Sequence, residues 1–409
     1  MRIRTYLLWL LPCFFVVIQF FQQNVANIFA SAWMQQFHLS PVSLANLSSA
    51  YFYTYALMQI PAGLCYDKFS SRALLTVSLT MVGLACISLG LSQAFSSAFI
   101  ARLMIGAASS FAFVGMLKIT SDLFSNKQFP LMIGISEMLT MSLVSLAMSA
   151  AAFWFIEHSW QSIQYITAAV SLLLALACLV GGHAYPSPSQ KNTKFSLSLS
   201  DFAFLREHNA ILGSLYCLLA FSIVSAFTSL WGIQFLVHTQ QLTMAEATHI
   251  NGAILIGIAI GSLFWGSLAK QTGYYRGLLL IASACSFIIL SLLLVLPPIP
   301  YHALYVGYFL AGVACAAYIP CLALIKQSVT KDLAATAMAF ANMMIMLGAP
   351  LFQMIIAFLI AHPIGQIRIQ SSASYQVAMM ILPLTSLLAW ILSYYLKPLC
   401  NPLAETLLV

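Results

Sequence analysis

The segment that decides the fold runs from Gln59 to Arg72 and reads QIPAGLCYDKFSSR. It closes a long apolar run and passes at once into charged residues, which is typical of the cytoplasmic end of a membrane helix. A second copy, GSLAKQTGYYR, occupies residues 266–276, and Gly63 matches Gly266 at an offset of 203 residues. A second pair of segments, GISEM at 134–138 and AFANM at 339–343, matches at an offset of 205. The repeat predicts two related halves, as transporters that alternate access are built.

The composition around this segment is that of a chain dissolved in lipid. Hydrophobic residues make up 62% of the 409 residues and charged residues only 6%, with a mean hydropathy of +0.95. A bilayer core of roughly 30 Å needs about 20 apolar residues per helix. Twelve stretches meet this length: 6–30, 42–65, 73–92, 97–118, 129–154, 161–184, 209–236, 247–269, 277–297, 301–325, 333–360 and 373–396. We therefore predict an all-α membrane protein with twelve transmembrane helices in two pseudo-symmetric six-helix bundles.

One long polar stretch divides the chain. Residues 185–208 are rich in Ser, Pro, Lys and Asn and predict a flexible cytoplasmic linker, with one surface helix near 199–207. The predicted organisation is an N-terminal bundle over 1–184, this linker, and a C-terminal bundle with a short cytoplasmic tail over 209–409.

The positive charges indicate the orientation. Fourteen of the sixteen Lys and Arg residues fall on one side of the predicted spans. The positive-inside rule then places both termini and the linker in the cytoplasm, and we expect a multi-pass protein of the cell inner membrane. The N-terminus, Arg2 to Val17, resembles a secretory signal, but its apolar run is too long, so we expect it to be retained. The net charge of +7 is not clustered on a soluble face, which argues against a nucleic-acid partner.

The sequence contains no pattern that predicts an enzyme. Walker-type GxxxxGK[ST] and GxSxG motifs are absent, and none of the nine cysteines forms a CxxC or a His/Cys cluster with metal spacing. We expect no cofactor and no metal, and partners limited to a small-molecule substrate, a coupled proton and the lipid bilayer around a monomer.

The motif after the second span carries a family resemblance. It is similar to the Gly-x-x-x-Asp-(Arg/Lys)-x-Gly-x-Arg signature of the major facilitator superfamily, and the layout resembles that family over essentially the whole chain. Arg102-Leu-Met-Ile-Gly106 in the fourth span also resembles a family element. The resemblance implies alternating access and a conformational latch at the cytoplasmic face, formed by Gly63, Asp67, Lys68 and Arg72. Ser70 stands where the family has a second glycine, and Lys270 replaces the aspartate in the second copy. An ordinary charged loop remains the alternative.

Two ionisable residues, Arg102 and Glu137, lie inside predicted spans, where charge is costly and marks candidate functional sites. Arg102 has the geometry to bind a carboxylate through two hydrogen bonds. Glu137 could bind an ammonium group or carry a coupled proton. The alternative for both residues is structural pairing that holds helices together.

The first span is the most polar. Gln19, Gln23 and Asn27 recur at i, i+4 and i+8 on one helix face, with Asn24 nearby, and predict a substrate-facing stripe or interhelical hydrogen bonds. In the family, spans 1, 4, 7 and 10 line the central cavity and spans 5 and 11 contribute. The resemblance thus adds Tyr55, Ser225, Tyr305 and Asn342 as candidate substrate-binding residues, together with Tyr51 and Tyr308. For the tyrosines, the aromatic belt of the membrane interface remains the alternative.

The predicted function is secondary active transport of a small polar solute, such as an amino acid, a short peptide or a carboxylate, with possible proton coupling through Glu137. The stretch around Tyr55 also resembles the intraphagosomal amino-acid transporters. A second interpretation is an exporter of drugs or of a siderophore-like metabolite, since Met and aromatic residues suit bulky apolar cargo. A receptor or scaffold without transport is a third.

Overall fold

The computed structural model describes residues 2–124, 128–181, 185, 199–295, 299–330, 333–363 and 371–398. Helices dominate this part of the chain, and it contains no strand. Eleven helical stretches in it are long and apolar enough to cross a membrane. The segment Pro41–Lys68 is not among them, because its four tyrosines and its Ser, Asn and Gln residues lower the hydropathy, yet its 28 residues are ample for one crossing. The predicted all-helical membrane fold is confirmed.

The first half contains seven α-helices that form six spans. They are α1 (Arg2–Asn24), α2 (Ala26–Gln36), α3 (Pro41–Lys68), α4 (Ser71–Gly90), α5 (Phe95–Leu123), α6 (Phe129–Phe155) and α7 (Trp160–Gly181). Helices α1 and α2 follow one another across Val25 and share the first span.

The second half repeats this layout with more interruptions. Its helices are α8 (His208–Ala220), α9 (Gly232–Gln240), α10 (Met244–Thr272), α11 (Tyr275–Val295), α12 (Tyr301–Cys315), α13 (Tyr318–Ser328), α14 (Ala334–Ala361), α15 (Ser372–Met379) and α16 (Ile381–Tyr395). A π-helix, Ile223–Trp231, connects α8 to α9 within the seventh span. The tenth span consists of α12 and α13, and the twelfth of α15 and α16.

The helix contacts follow the predicted pseudo-symmetry. In the first half α3 packs mainly on α5 and α4 on α7, and in the second half α10 packs on α12 and α11 on α16. The two halves meet through α3 against α14 and through α6 against α10. The α3–α14 contact joins spans 2 and 11, and the α6–α10 contact joins spans 5 and 8. Because span 2 corresponds to span 8 and span 5 to span 11, the two contacts are equivalent under the pseudo-symmetry.

The two copies of the motif, after spans 2 and 8, both lie at helix ends. In the first copy the Ser70 side chain accepts a hydrogen bond from the Ala73 N–H and caps α4, with Ser70 in an extended conformation that needs no glycine. In the second copy Gly273 ends α10 with φ of 64°, which favours glycine. The serine that replaces the family glycine is therefore a helix cap.

The predicted linker, 185–208, lies mostly outside the described residues. Its described part forms a 3₁₀-helix, Leu199–Arg206, close to the predicted surface helix. The domain boundaries themselves remain a prediction. We refer below to the end of the molecule that carries Lys68, Lys118, Arg276 and Lys326 as the basic face, and to the other end, where α2 and α9 finish, as the opposite face.

Candidate functional site

Arg102 is the most deeply buried charge of the described residues. Its side chain is fully buried on α5, and its two terminal nitrogens donate to the Gln22 carbonyl at 2.7 Å and the Ser48 carbonyl at 3.1 Å. The guanidinium carbon lies 5.1 Å from the ring centre of Tyr51 and 5.8 Å from that of Trp33. Within the described part of the chain Arg102 forms no ion pair. Arg102 thus joins spans 1, 2 and 4 while its charge stays without an acidic partner.

The Arg-x-x-x-Gly spacing explains how Arg102 reaches the second span. A Cβ atom on Gly106, one turn further along α5, would collide with the Tyr51 carbonyl of α3. Glycine therefore lets the two helices cross closely, and the arginine one turn away can contact the α3 backbone at Ser48.

The predicted amide stripe of the first span divides into three kinds of contact. Gln19 donates to Gln23 at 3.0 Å and to the Tyr51 hydroxyl at 3.2 Å, which joins the stripe to α3. Asn24 donates to the Phe20 carbonyl of its own helix at 2.7 Å. Asn27 bonds instead to the backbone of the second half, at the π-helix and α9. All four amides are fully buried.

A row of aromatic and polar side chains continues from the stripe along α3. The rings of Tyr51 and Tyr55 stack with 5.6 Å between their centres, and both residues are buried. One turn beyond Tyr55, the side-chain Oε1 of Gln59 accepts from Asn342 Nδ2 of α14 at 3.2 Å, which links the halves. We call Gln19, Gln23, Tyr51, Tyr55 and Gln59 the polar wall.

Glu137 lies beside this wall on α6. Its carboxyl group is placed to interact with the Tyr318 hydroxyl of the second half, and Tyr55 lies nearby. It is only half-buried by surface area. Glu137 and Asn342, which the repeat pairs at an offset of 205 residues, therefore both make contacts that cross between the halves.

Several candidates from the sequence lie elsewhere. Tyr305 is 37% exposed on the surface of α12, whereas Tyr308 is fully buried and stacks on Phe227 with 5.0 Å between ring centres. Ser225 is buried in the π-helix, where its carbonyl accepts from Gln353. The structure thus brings Tyr308 rather than Tyr305 into the interior.

The latch residues stay a prediction. The Asp67 side chain lies outside what the structure describes, so its predicted pairing with Arg72 remains untested. Lys68 ends α3 and Arg72 lies in the first turn of α4, at the basic face. A Cβ on Gly63 would meet no atom within 4 Å, so close helix packing does not require a glycine here in this conformation.

Sequence reasoning missed Gln353. This fully buried residue of α14 donates to the Ser225 carbonyl at 2.8 Å and accepts from Ser49 at 3.4 Å, while its own carbonyl accepts from the Trp231 indole at 3.2 Å. It is a polar amide within a strongly apolar span. The same signal identified the amides of the first span. Tyr318 had no comparable signal, because tyrosines are frequent at span ends.

The polar wall keeps unused hydrogen-bonding capacity. Gln19 Oε1 and Gln23 Nε2, both buried in the wall, have no hydrogen-bond partner among the described residues. Buried polar atoms are normally satisfied, so such a group points to water or to a ligand.

The comparisons with known proteins agree with this architecture. The family model of the Major Facilitator Superfamily matches residues 13–353 and 236–405. The galacturonate transporter of Dickeya chrysanthemi is 25% identical over 43% of this chain and 50% of its own length. The probable galactarate/D-glucarate transporter GudP of Pseudomonas putida is 29% identical over 31% of this chain and 29% of its own length. The matched parts thus amount to half of each relative or less.

Solved structures show the same fold over the whole chain. A bacterial homologue of the human lysosomal transporter Spinster, in an inward-facing and unoccupied conformation, superposes with a TM-score of 0.75 at 16% identity. The match covers 98% of this chain and 99% of that one. The chain belongs to the major facilitator superfamily and is a multi-pass membrane protein.

Proposed function

We propose that this protein is a secondary transporter of a small hydroxylated carboxylate, with sugar acids as the favoured class. The solute moves by alternating access between the basic face, which the positive-inside rule assigns to the cytoplasm, and the opposite face. The membrane is a bacterial inner membrane, the transporter acts as a monomer, and its two bundles, 1–184 and 209–409, move as the rocking units.

The observation that carries the proposal is the polar wall. Gln19 Oε1 is an acceptor without a partner, and Gln23 Nε2 is a donor without one. Both residues lie on the same helix face as Asn27, which bonds to the second half. A solute with several hydroxyl groups offers donors and acceptors together. Such a solute would satisfy these atoms, whereas an apolar drug would leave them unpaired at about 1–3 kcal/mol each.

The carboxylate part of the proposal has two supports. Arg102 places an unneutralised positive charge behind the Tyr51 ring, 5.1 Å from its centre, and so favours an anion at the wall. A unit charge acting over about 8 Å contributes roughly 2 kcal/mol at an effective dielectric constant of 20. Two relatives are named as transporters of galacturonate and of galactarate or D-glucarate, which are hydroxylated carboxylates.

Proton coupling is the further part of the proposal. Glu137 is an acidic residue beside the wall, and its carboxyl group is placed to interact with Tyr318 of the other half. A carboxyl group at such a junction can carry a proton whose uptake changes how the halves interact.

The test is transport by purified protein in proteoliposomes. A panel of galacturonate, glucarate, the neutral sugar galactose, an amino acid and a dipeptide separates the solute classes. We expect saturable uptake of the sugar acids, inhibited little by galactose. Gln23→Leu should raise the KM about tenfold through the loss of one hydrogen bond, whereas Gln35→Leu at the exposed end of α2 should not.

Other results would overturn the proposal. Uptake of amino acids or dipeptides but not of sugar acids would transfer the assignment to the amino-acid class. Extrusion of apolar dyes from vesicles, with no sugar-acid uptake, would favour the exporter.

A further inference from the structure

Asn27 makes three hydrogen bonds to the backbone of the other half. Its Nδ2 donates to the Phe227 carbonyl at 3.0 Å and the Thr228 carbonyl at 2.8 Å, and its Oδ1 accepts from the Ile233 N–H at 2.9 Å. Two carbonyls on one side and an N–H on the other fix the orientation of the amide. Asn27 is fully buried, so these bonds are formed away from water.

The position of these bonds in the seventh span is unusual. The π-helix Ile223–Trp231 ends where the Gly232 N–H bonds to the Phe227 carbonyl, five residues earlier. The next bond of this type would join the Ile233 N–H to the Thr228 carbonyl. The Asn27 amide binds both of these groups, so it is inserted at the junction between the π-helix and α9. Side chains that enter a helix ladder in this way bend or break the helix.

Other contacts of the π-helix also use its backbone groups. The Ser225 carbonyl accepts from Gln353 of α14, and the Thr228 carbonyl also accepts from Asn251 of α10 at 3.3 Å. A π-helix is rare and poorly stable by itself, and it is often found at functional sites. Here its carbonyls are stabilised by side chains from three different helices.

The bonds of Asn27 belong to a set that holds the halves together towards the opposite face. Ser31 of α2 and Gln234 of α9 bond at 3.0 Å. Ser49 bonds to Gln353 at 3.4 Å, and Ser145 donates to the Gly252 carbonyl at 3.3 Å. Ser145 binds one main-chain group of the second half, whereas Asn27 binds two main-chain carbonyls and one main-chain N–H there.

We propose that Asn27 is a latch that closes the opposite face and keeps the seventh span in its π-helical form. When the first span moves away from the seventh, the Ile233 N–H loses its partner inside the membrane, and the Thr228 carbonyl keeps only its longer bond from Asn251. An unpaired backbone group costs several kcal/mol within the membrane, so the seventh span must re-form its own backbone hydrogen bonds. Opening of this face is therefore coupled to a change from π-helix to α-helix, which moves Ser225 and Trp231.

The experiment compares Asn27→Leu with Asn24→Leu in the detergent-solubilised full-length protein. Asn24 is an equally buried amide one turn earlier, and its donor bonds only within its own helix. The first readout is hydrogen–deuterium exchange of a peptide covering 223–236. Loss of about 1.4 kcal/mol of hydrogen bonding in Asn27→Leu should accelerate exchange in this peptide about tenfold. A peptide within 275–295 should not change in either variant.

The second readout is the distance between spin labels on introduced cysteines at Gln35 and His238, which are exposed near the opposite face. The wild type should give a short distance, and Asn27→Leu should add a longer one. Asn24→Leu should resemble the wild type. If Asn27→Leu is poorly folded, Asn27→Ser, which keeps at most one of the three bonds, should show both effects more weakly.

Two results would overturn the proposal. One is unchanged exchange and distance in the folded Asn27 variants. The other is an equal change in Asn24→Leu, since that would indicate general loosening of the first span. Neither readout depends on the transported solute, so the proposal can fail while the proposed function stands, and the reverse.

Discussion

At the scale of single residues, Arg102 shows how a charge is held inside the first half. Its guanidinium group donates to backbone carbonyls of two helices and lies 5.8 Å and 5.1 Å from the ring centres of Trp33 and Tyr51. Hydrogen bonds of this charge-assisted kind contribute about 1.5–3 kcal/mol each. The absence of an ion pair within the described chain leaves the positive field of Arg102 available to an anionic solute.

Replacing Arg102 by lysine should be costly, although the charge is kept. A lysine ammonium is a compact point charge and lacks the planar fork with which Arg102 reaches both carbonyls. We expect Arg102→Lys to lose one of the two bonds, about 2 kcal/mol, and to lower the melting temperature by several degrees. Lys118→Arg, at an exposed pair with Asp122, should change stability by less than about 0.5 kcal/mol. An unchanged melting temperature for Arg102→Lys would contradict this role.

Glu137→Gln tests proton coupling. The amide keeps the size of the side chain and a contact with Tyr318 but cannot release a proton. We expect accumulation driven by a pH gradient to be lost, while exchange of labelled against unlabelled solute continues. Glu246→Gln, in the exposed capping box of α10, is the control and should leave accumulation intact. Accumulation that persists in Glu137→Gln would exclude this residue as the proton carrier.

At the scale of helices, close crossings set the distances between spans. In the first half Gly106 lies against the Tyr51 carbonyl, and in the second half Gly257 of α10 lies against the Phe309 carbonyl of α12. These crossings join spans 2 and 4 and spans 8 and 10, so both halves use glycine at equivalent crossings. Backbones that approach this closely leave no room for a side chain.

Gly106→Ala should therefore destabilise the protein, because its Cβ would force α3 and α5 apart. An overpacked site of this kind costs about 1–3 kcal/mol, and Arg102 would lose its reach to Ser48. Gly63→Ala, with open space around its Cβ, should be neutral or raise stability by up to about 1 kcal/mol. Melting temperatures of both variants in the same detergent decide the matter, and an equal fall in both would refute the crossing argument.

At the scale of the whole molecule, the contacts between halves indicate a conformation closed towards the opposite face. Asn27, Ser31 and Ser145 all bond across the halves on that side. Nearer the basic face, Asn342 bonds to Gln59. Alternating access requires the first set to separate during each cycle.

Cross-linking across the opposite face should stop transport. Cysteines at Ser31 and Gln234, joined by a short thiol-cleavable reagent, tie the halves where their side chains bond at 3.0 Å. We expect uptake to fall to background and to return after reduction. The control is a pair at Gln36 and Gln161, whose side chains also bond at 3.0 Å but lie within one half. Full uptake by the linked Ser31–Gln234 pair would argue against alternating access at this face.

The sequence by itself determined the membrane class, the spans and the family. Apolar run length and cation placement can both be found along the chain without knowing the tertiary contacts. Run length is informative because each membrane helix must form its own backbone hydrogen bonds in lipid. The amide stripe also showed correctly that the first span has a polar face. Even Ser70, which departs from the family motif, has a local explanation as a helix cap.

Only the tertiary structure decided which partner each polar residue contacts. Periodicity gives the face on which Asn27 lies, but not the π-helix of the seventh span to which it bonds, 200 residues further on. Likewise Tyr308 rather than Tyr305 is buried, because the close crossing of α10 and α12 fixes which side of α12 faces inward. Hydrogen-bond partners depend on distances between helices, and those distances are set by glycine contacts between residues far apart in the chain.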